Sequence, residues 1–223
     1  MKKIISVIVL VAVIVAGTMV SYATIYDSNV TPKQNEKQVV EEIKTPDPKP
    51  VEAREVEPPK TPTKAEREAA HMDFCATEYP TATKVWKYMR QELGWSEVVC
   101  AGVMGNIMAE CGGQTLNIDP GLYDAATGHY YGICQWSAQY NGEVHGTSLD
   151  FQLKYLKGTV ESEFSTFGYL YGGSGFGYES FKQIERPEDA ALAFAECYER
   201  CSAKTYYIRE ENALKAYKYF TNY

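Results

Sequence analysis

Histidine is scarce in this sequence, no Cys-x-x-Cys pair occurs, and positive charge is in deficit. Each shortage removes a class of function. The net charge is −7, whereas holding a phosphate backbone takes a concentrated basic surface. Nucleic acid is therefore not an expected partner, and any polyanion would have to meet a local exception to that charge. The three histidines, His71, His129 and His145, do not cluster with thiols at ligand spacing, which argues against zinc. No metal or cofactor is implied. Internal repeats are absent as well, and 223 residues leave room for one core of ordinary size.

Aromatic residues are missing from a long stretch near the N-terminus. From about Asp27 to Glu68 the chain is proline and mixed charge, and seven of the ten prolines lie there. Such a segment buries too little apolar surface to offset its ordering entropy. Residues 24–70 are expected to form an extended spacer, reaching on the order of 100 Å at ~3.1 Å per residue. Before it, Lys2 and Lys3 precede an uncharged apolar run from Ile4 to Val20, then Ser21-Tyr22-Ala23. Residues 1–23 read as an export signal or a membrane anchor, and both remain open. The lysines place the rest of the chain outside the cytoplasm, secreted or facing the cell wall. Six cysteines, all between Cys75 and Cys201, fit an oxidising compartment and predict disulfides.

The remaining residues, 71–223, have single-domain length and read as mostly helical. "TATKVWKYMRQEL" sets Val85, Met89 and Leu93 on one face and stops at Gly94. "SEVVCAGVMGNIMAE" opens on Ser96 as an N-cap. "LDFQLKYLKGTVESEF", "RPEDAALAFAECYERC" and "REENALKAYKYF" supply three more helices. Between them "NIDPGLYDAATGHYYGICQWS" reads as a small hairpin turning near Ala126-Thr127-Gly128. The expected fold class is mainly α (α+β), as a monomer.

The helix from Ser96 is apolar or small almost throughout and ends at Glu110, ahead of Gly112 and Gly113. Burial penalises the charged form of a carboxyl, and a helix C-terminus disfavours negative charge. Both favour the protonated acid that general acid catalysis requires. A glutamate joined to an arginine in the core is the competing reading, and local physics leaves the two open.

The residues also carry a resemblance. "AGVMGNIMAECGGQ" followed by "YYGICQWS" is similar to the phage-tail lysozyme type of domain in the lysozyme-like superfamily. "FAECYER" looks like the aromatic-Glu-Arg stretch near the end of such domains. The similarity runs roughly from Pro80 to Tyr219. Cys111 departs from it, since serine usually follows the glutamate. The resemblance implies cleavage of β-1,4 links in peptidoglycan glycan strands, with Glu110 as general acid. Gly132, Ile133, Cys134 and Gln135 would wall the groove, and Gln135 would hydrogen-bond the sugar. Tyr130, Tyr131 and Trp136 would offer faces to sugar rings; sixteen of the eighteen tyrosines lie in the expected domain.

Hydrolysis needs a second carboxylate, for which Asp124 is the first candidate and Asp119 the next. Lytic transglycosylation needs none, because the substrate's own 6-hydroxyl attacks. A bond between Cys111 and Cys134 is expected where helix end and groove meet. Two rival functions remain. One is a cysteine peptidase using Cys134 or Cys111 with His129 or His145. The other is a lysozyme fold that binds glycan or a partner without cutting it.

Overall fold

The computed structural model describes residues 61–223. The apolar N-terminal run and nearly all of the expected spacer lie outside the described residues. Helix α1 (Lys64–Glu78) begins inside the segment expected to be spacer. A capping box starts it. The Thr63 hydroxyl accepts from the Glu66 N–H at 3.2 Å, and the Glu66 carboxylate accepts from the Thr63 N–H at 2.6 Å. The reciprocal pair satisfies two donors that a bare helix end leaves unpaired. The folded domain therefore begins earlier than residue 71. Helix α2 (Pro80–Glu92) follows with proline in its first turn, where no N–H is missed.

Helix α3 (Glu97–Cys111) is the centre of the fold. The Ser96 hydroxyl caps it, accepting from the Val99 N–H at 3.1 Å. Every residue from Val99 to Met108 is buried, so the helix has no solvent face and needs none of the amphipathic pattern of a surface helix. Two small residues let its neighbours approach. A Cβ on Gly102 would stand 2.5 Å from the Ala190 Cβ, on helix α5 (Pro187–Phe194). A Cβ on Gly105 would stand 2.5 Å from the Arg209 carbonyl oxygen, on helix α6 (Tyr206–Thr221). Helix α4 (Leu149–Phe167), capped by Ser148, lies between the hairpin and α5 in the chain.

Strand β1 (Tyr130–Tyr131) pairs antiparallel with β2 (Trp136–Ser137), with Tyr130 opposite Ser137 and Tyr131 opposite Trp136. The fold is thus mainly helical with one small hairpin, as expected. Its turn differs from the expectation. The strands reverse at Gly132–Gln135, where Gly132 (φ +81°) and Gln135 (φ +44°) take left-handed backbone. The Ala126-Thr127-Gly128 turn forms too, but it joins β1 to a single bridge at Tyr123. Gln152 of α4 fastens the Gly132 turn from beneath. Its side-chain oxygen accepts from the Ile133 N–H at 3.0 Å, and its amide donates to the carbonyls of Pro120 and Thr147.

All six cysteines are unpaired, which corrects the disulfide expectation. The Cys111 thiol turns back to the Ile107 carbonyl at 3.4 Å, the bond a serine would make at that place in a helix. Cys134 lies beside Glu199, and no Cys111–Cys134 bond forms. Among the described residues no helix is long and apolar enough to cross a membrane.

Candidate active site

Asn106 and Glu110 are four residues apart on α3 and share a face. Asn106 is fully buried, and its amide donates to the carbonyls of Gly102 and Ala191, both at 3.0 Å. That fixes the amide with its oxygen toward α6. There it accepts from the Arg209 Nη1 at 3.2 Å, while the Arg209 Nη2 donates to the Glu110 carboxylate. Gly105 allows this contact by letting the α6 backbone come close. The arginine side chain is almost fully buried and that of Glu110 is 18% exposed. Glu110 is therefore half of an ion pair, as one reading of the sequence had it. It also faces open space, as the other required.

That space is a cleft of about 350 Å³ lined by Glu110, Asp124, Tyr130, Cys134, Gln135 and Glu199. Glu199 is the member to which the sequence reading gave no role. It ends the π-helical turn Ala195–Glu199 that continues α5, just before Arg200 adopts left-handed backbone. A π-turn shifts the side-chain register, and such turns recur at functional sites. One Glu199 carboxyl oxygen is buried without a hydrogen-bond partner. Burial first, and then the charge of Glu110, push the Glu199 carboxyl well above the usual carboxylate range. Arg209 opposes that rise only in part. Arg209 forms its ion pair with Glu110, so the Glu199 carboxyl has none, and burial favours its protonated form.

Asp124 is held the other way. Its carboxylate accepts from the Thr127 hydroxyl and from the N–H groups of Ala126 (3.0 Å) and Thr127 (3.4 Å). The Thr127 hydroxyl is the main cause that lowers its pKa, so it stays ionised at the cleft edge. Asp119 only organises a turn, accepting from the Gly121 N–H at 2.9 Å.

The expected groove residues divide. Tyr130 is exposed at the cleft. Gln135 lines it, and both of its amide hydrogens go to carbonyls, Leu122 at 3.2 Å and Gly132 at 2.9 Å. Its side-chain oxygen is left as the atom available to a ligand. Ile133 is fully buried, and Gly132 is pressed against Gln152. Trp136 is buried and donates its indole N–H to the Tyr198 hydroxyl at 3.2 Å. The Tyr131 hydroxyl donates to the Thr147 carbonyl at 3.1 Å. These four shape the loop from behind.

The peptidase arrangement is not formed. Burial pushes the Cys111 and Cys134 thiols up, away from the reactive thiolate. The His145 ring bonds the Trp136 carbonyl at 2.9 Å, and neither His129 nor His145 bonds to a thiol.

An acid at a buried helix end, a cleft beside it and a hairpin loop across the cleft define the lysozyme-like class of domain. Comparison with protein families places the chain within that class. The phage tail lysozyme family matches residues 80–220, and the chain belongs to it. Membership implies a peptidoglycan-cleaving enzyme, with peptidoglycan as substrate. None of the curated proteins matches the chain.

Proposed function

We propose that the chain cuts β-1,4 bonds in peptidoglycan glycan strands, with Glu110 as general acid and Glu199 as the group that keeps a proton in the cleft. The observation that carries this reading is that two glutamates line one cleft and its buried arginine pairs with Glu110, leaving Glu199 without an ion-pair partner. Glu199 keeps its proton above the usual carboxylate range and passes it to Glu110 as Glu110 protonates the bridging oxygen. Transfer of the proton to the bridging oxygen breaks the C–O bond, and the cleft then holds two carboxylates. The developing positive charge at the sugar carbon is stabilised by them.

In hydrolysis, Asp124 takes a proton from water as the water oxygen bonds to that carbon. In transglycosylation, the substrate's 6-hydroxyl bonds to it, gives its proton to the glutamate pair and closes a 1,6-anhydro ring. Tyr130 offers an apolar face to the sugar, and the Gln135 side-chain oxygen accepts from a sugar hydroxyl. The test is digestion of purified peptidoglycan by the full chain and by Glu110→Gln. A general acid contributes about 10²–10⁴-fold, so the variant is expected to lose at least about 100-fold. Equal rates would remove Glu110 from the chemistry.

A further inference from the structure

The largest cavity described has no residue in common with the glutamate cleft. It is a groove of about 720 Å³ between α2 and α4. Its walls carry Lys84 and Lys87 from α2 and Lys154 and Lys157 from α4, in a chain whose net charge is −7. Two ion pairs cross the groove. Lys84 meets Asp150 at 2.6 Å, and Lys157 meets Glu92 at 3.1 Å. In sequence Lys87 lies between Lys84 and Glu92 on α2, and Lys154 lies between Asp150 and Lys157 on α4. Neither Lys87 nor Lys154 forms an ion pair among the described residues, so two of the four lysines lining the groove have no carboxylate partner. Thr83 lines the same groove, is 1% exposed, and its hydroxyl has no hydrogen-bond partner. Buried hydroxyls are normally satisfied. The Thr83 hydroxyl is short of an acceptor oxygen.

We infer that the α2–α4 groove binds a phosphate ester, its oxygens held by Lys87, Lys154 and the Thr83 hydroxyl. Lysine suits this role as a compact point charge on a flexible stem, reaching phosphate without fixed geometry. The lysine stems and the Tyr88 ring leave the rest of the lining mainly apolar, and the volume falls in the range of ligand sites, roughly 300–1,000 Å³. A phosphate carried on carbon is the chemistry that a free ester and a phosphodiester polymer share, and glycerol phosphate is the simplest probe of each.

The experiment is titration of the full chain at low salt with inorganic phosphate, glycerol phosphate and an oligomer of glycerol phosphate, followed by calorimetry. Glycerol phosphate, the oligomer or both bind the wild type, and the stronger of the two identifies the source. The variant Lys87→Gln/Lys154→Gln weakens binding at least about tenfold, the lower end for bonds to charged groups. Lys204→Gln/Lys218→Gln, which removes the same charge elsewhere, changes it less than about twofold. Thr83→Val also weakens binding while keeping the melting temperature, because no protein partner is lost. All three variants keep the rate of peptidoglycan cleavage, so this test stands apart from that of the glutamate cleft. No binding of either ester by the wild type, or equal weakening in the two lysine variants, would overturn the assignment.

Discussion

At the scale of single residues the account turns on where one proton sits. Glu110 was legible in the sequence as a carboxyl at the end of a buried helix: it pairs with Arg209, as one reading had it, and it lines a cleft, as the acid reading requires. Glu199 was not legible. "FAECYER" showed two glutamates, Glu196 and Glu199, and no local pattern announces the π-turn that sets the register of Glu199. The raised Glu199 carboxyl has a consequence for stability. The native state keeps this proton at pH values where the unfolded chain has already released it. Native protein then binds more protons than unfolded, so stability falls as pH rises from the ordinary carboxylate range through the raised value. Thermal melting from mildly acidic to neutral pH is expected to show this decline, and Glu199→Gln is expected to flatten it. A wild-type melting temperature that rises over the same interval contradicts the assignment.

At the scale of elements, caps and prolines carried the reading. Ser96 and Pro187 mark helix starts in the sequence and in the structure, and Ser148 proves to be a third in the structure. Helix α1 was hidden because composition outweighed the Thr63–Glu66 box. The hairpin turn was misplaced because Ala126-Thr127-Gly128 also forms a turn, while Gly132–Gln135 depends on Gln152, distant in sequence. The resemblance offered Tyr131 and Trp136 to sugar rings, whereas their polar tips point to Thr147 and Tyr198. The contact of α3 with α6 is the element on which the site rests. Gly105→Ala would gain about 1 kcal/mol of helix propensity. The new Cβ would nevertheless meet the Arg209 carbonyl oxygen at 2.5 Å and the Ala213 nitrogen at 2.6 Å, neither of which can turn aside. Overpacking of this kind costs about 1–3 kcal/mol and sometimes more. Urea denaturation is expected to show a net loss, and cleavage to fall with it, because α6 must move Arg209 away from Glu110.

At the scale of the whole molecule, the cysteines behave as core residues. Cys75, Cys100, Cys111, Cys134 and Cys197 are buried and Cys201 is half-buried, so packing holds the domain without cross-links. A reductant should leave the melting temperature unchanged. Thiol titration should find little reactivity in native protein and six thiols after unfolding. Fewer than six in denaturant would restore the disulfide expectation.

The central claim, that this fold exists to cut glycan at Glu110, is tested most directly at the sugar ends. Peptidoglycan treated with the full chain or with Glu110→Gln is analysed by mass spectrometry. The account predicts new sugar ends, free reducing or 1,6-anhydro, from the wild-type chain alone. Intact glycan strands in both samples, or the same new ends from both, contradict it.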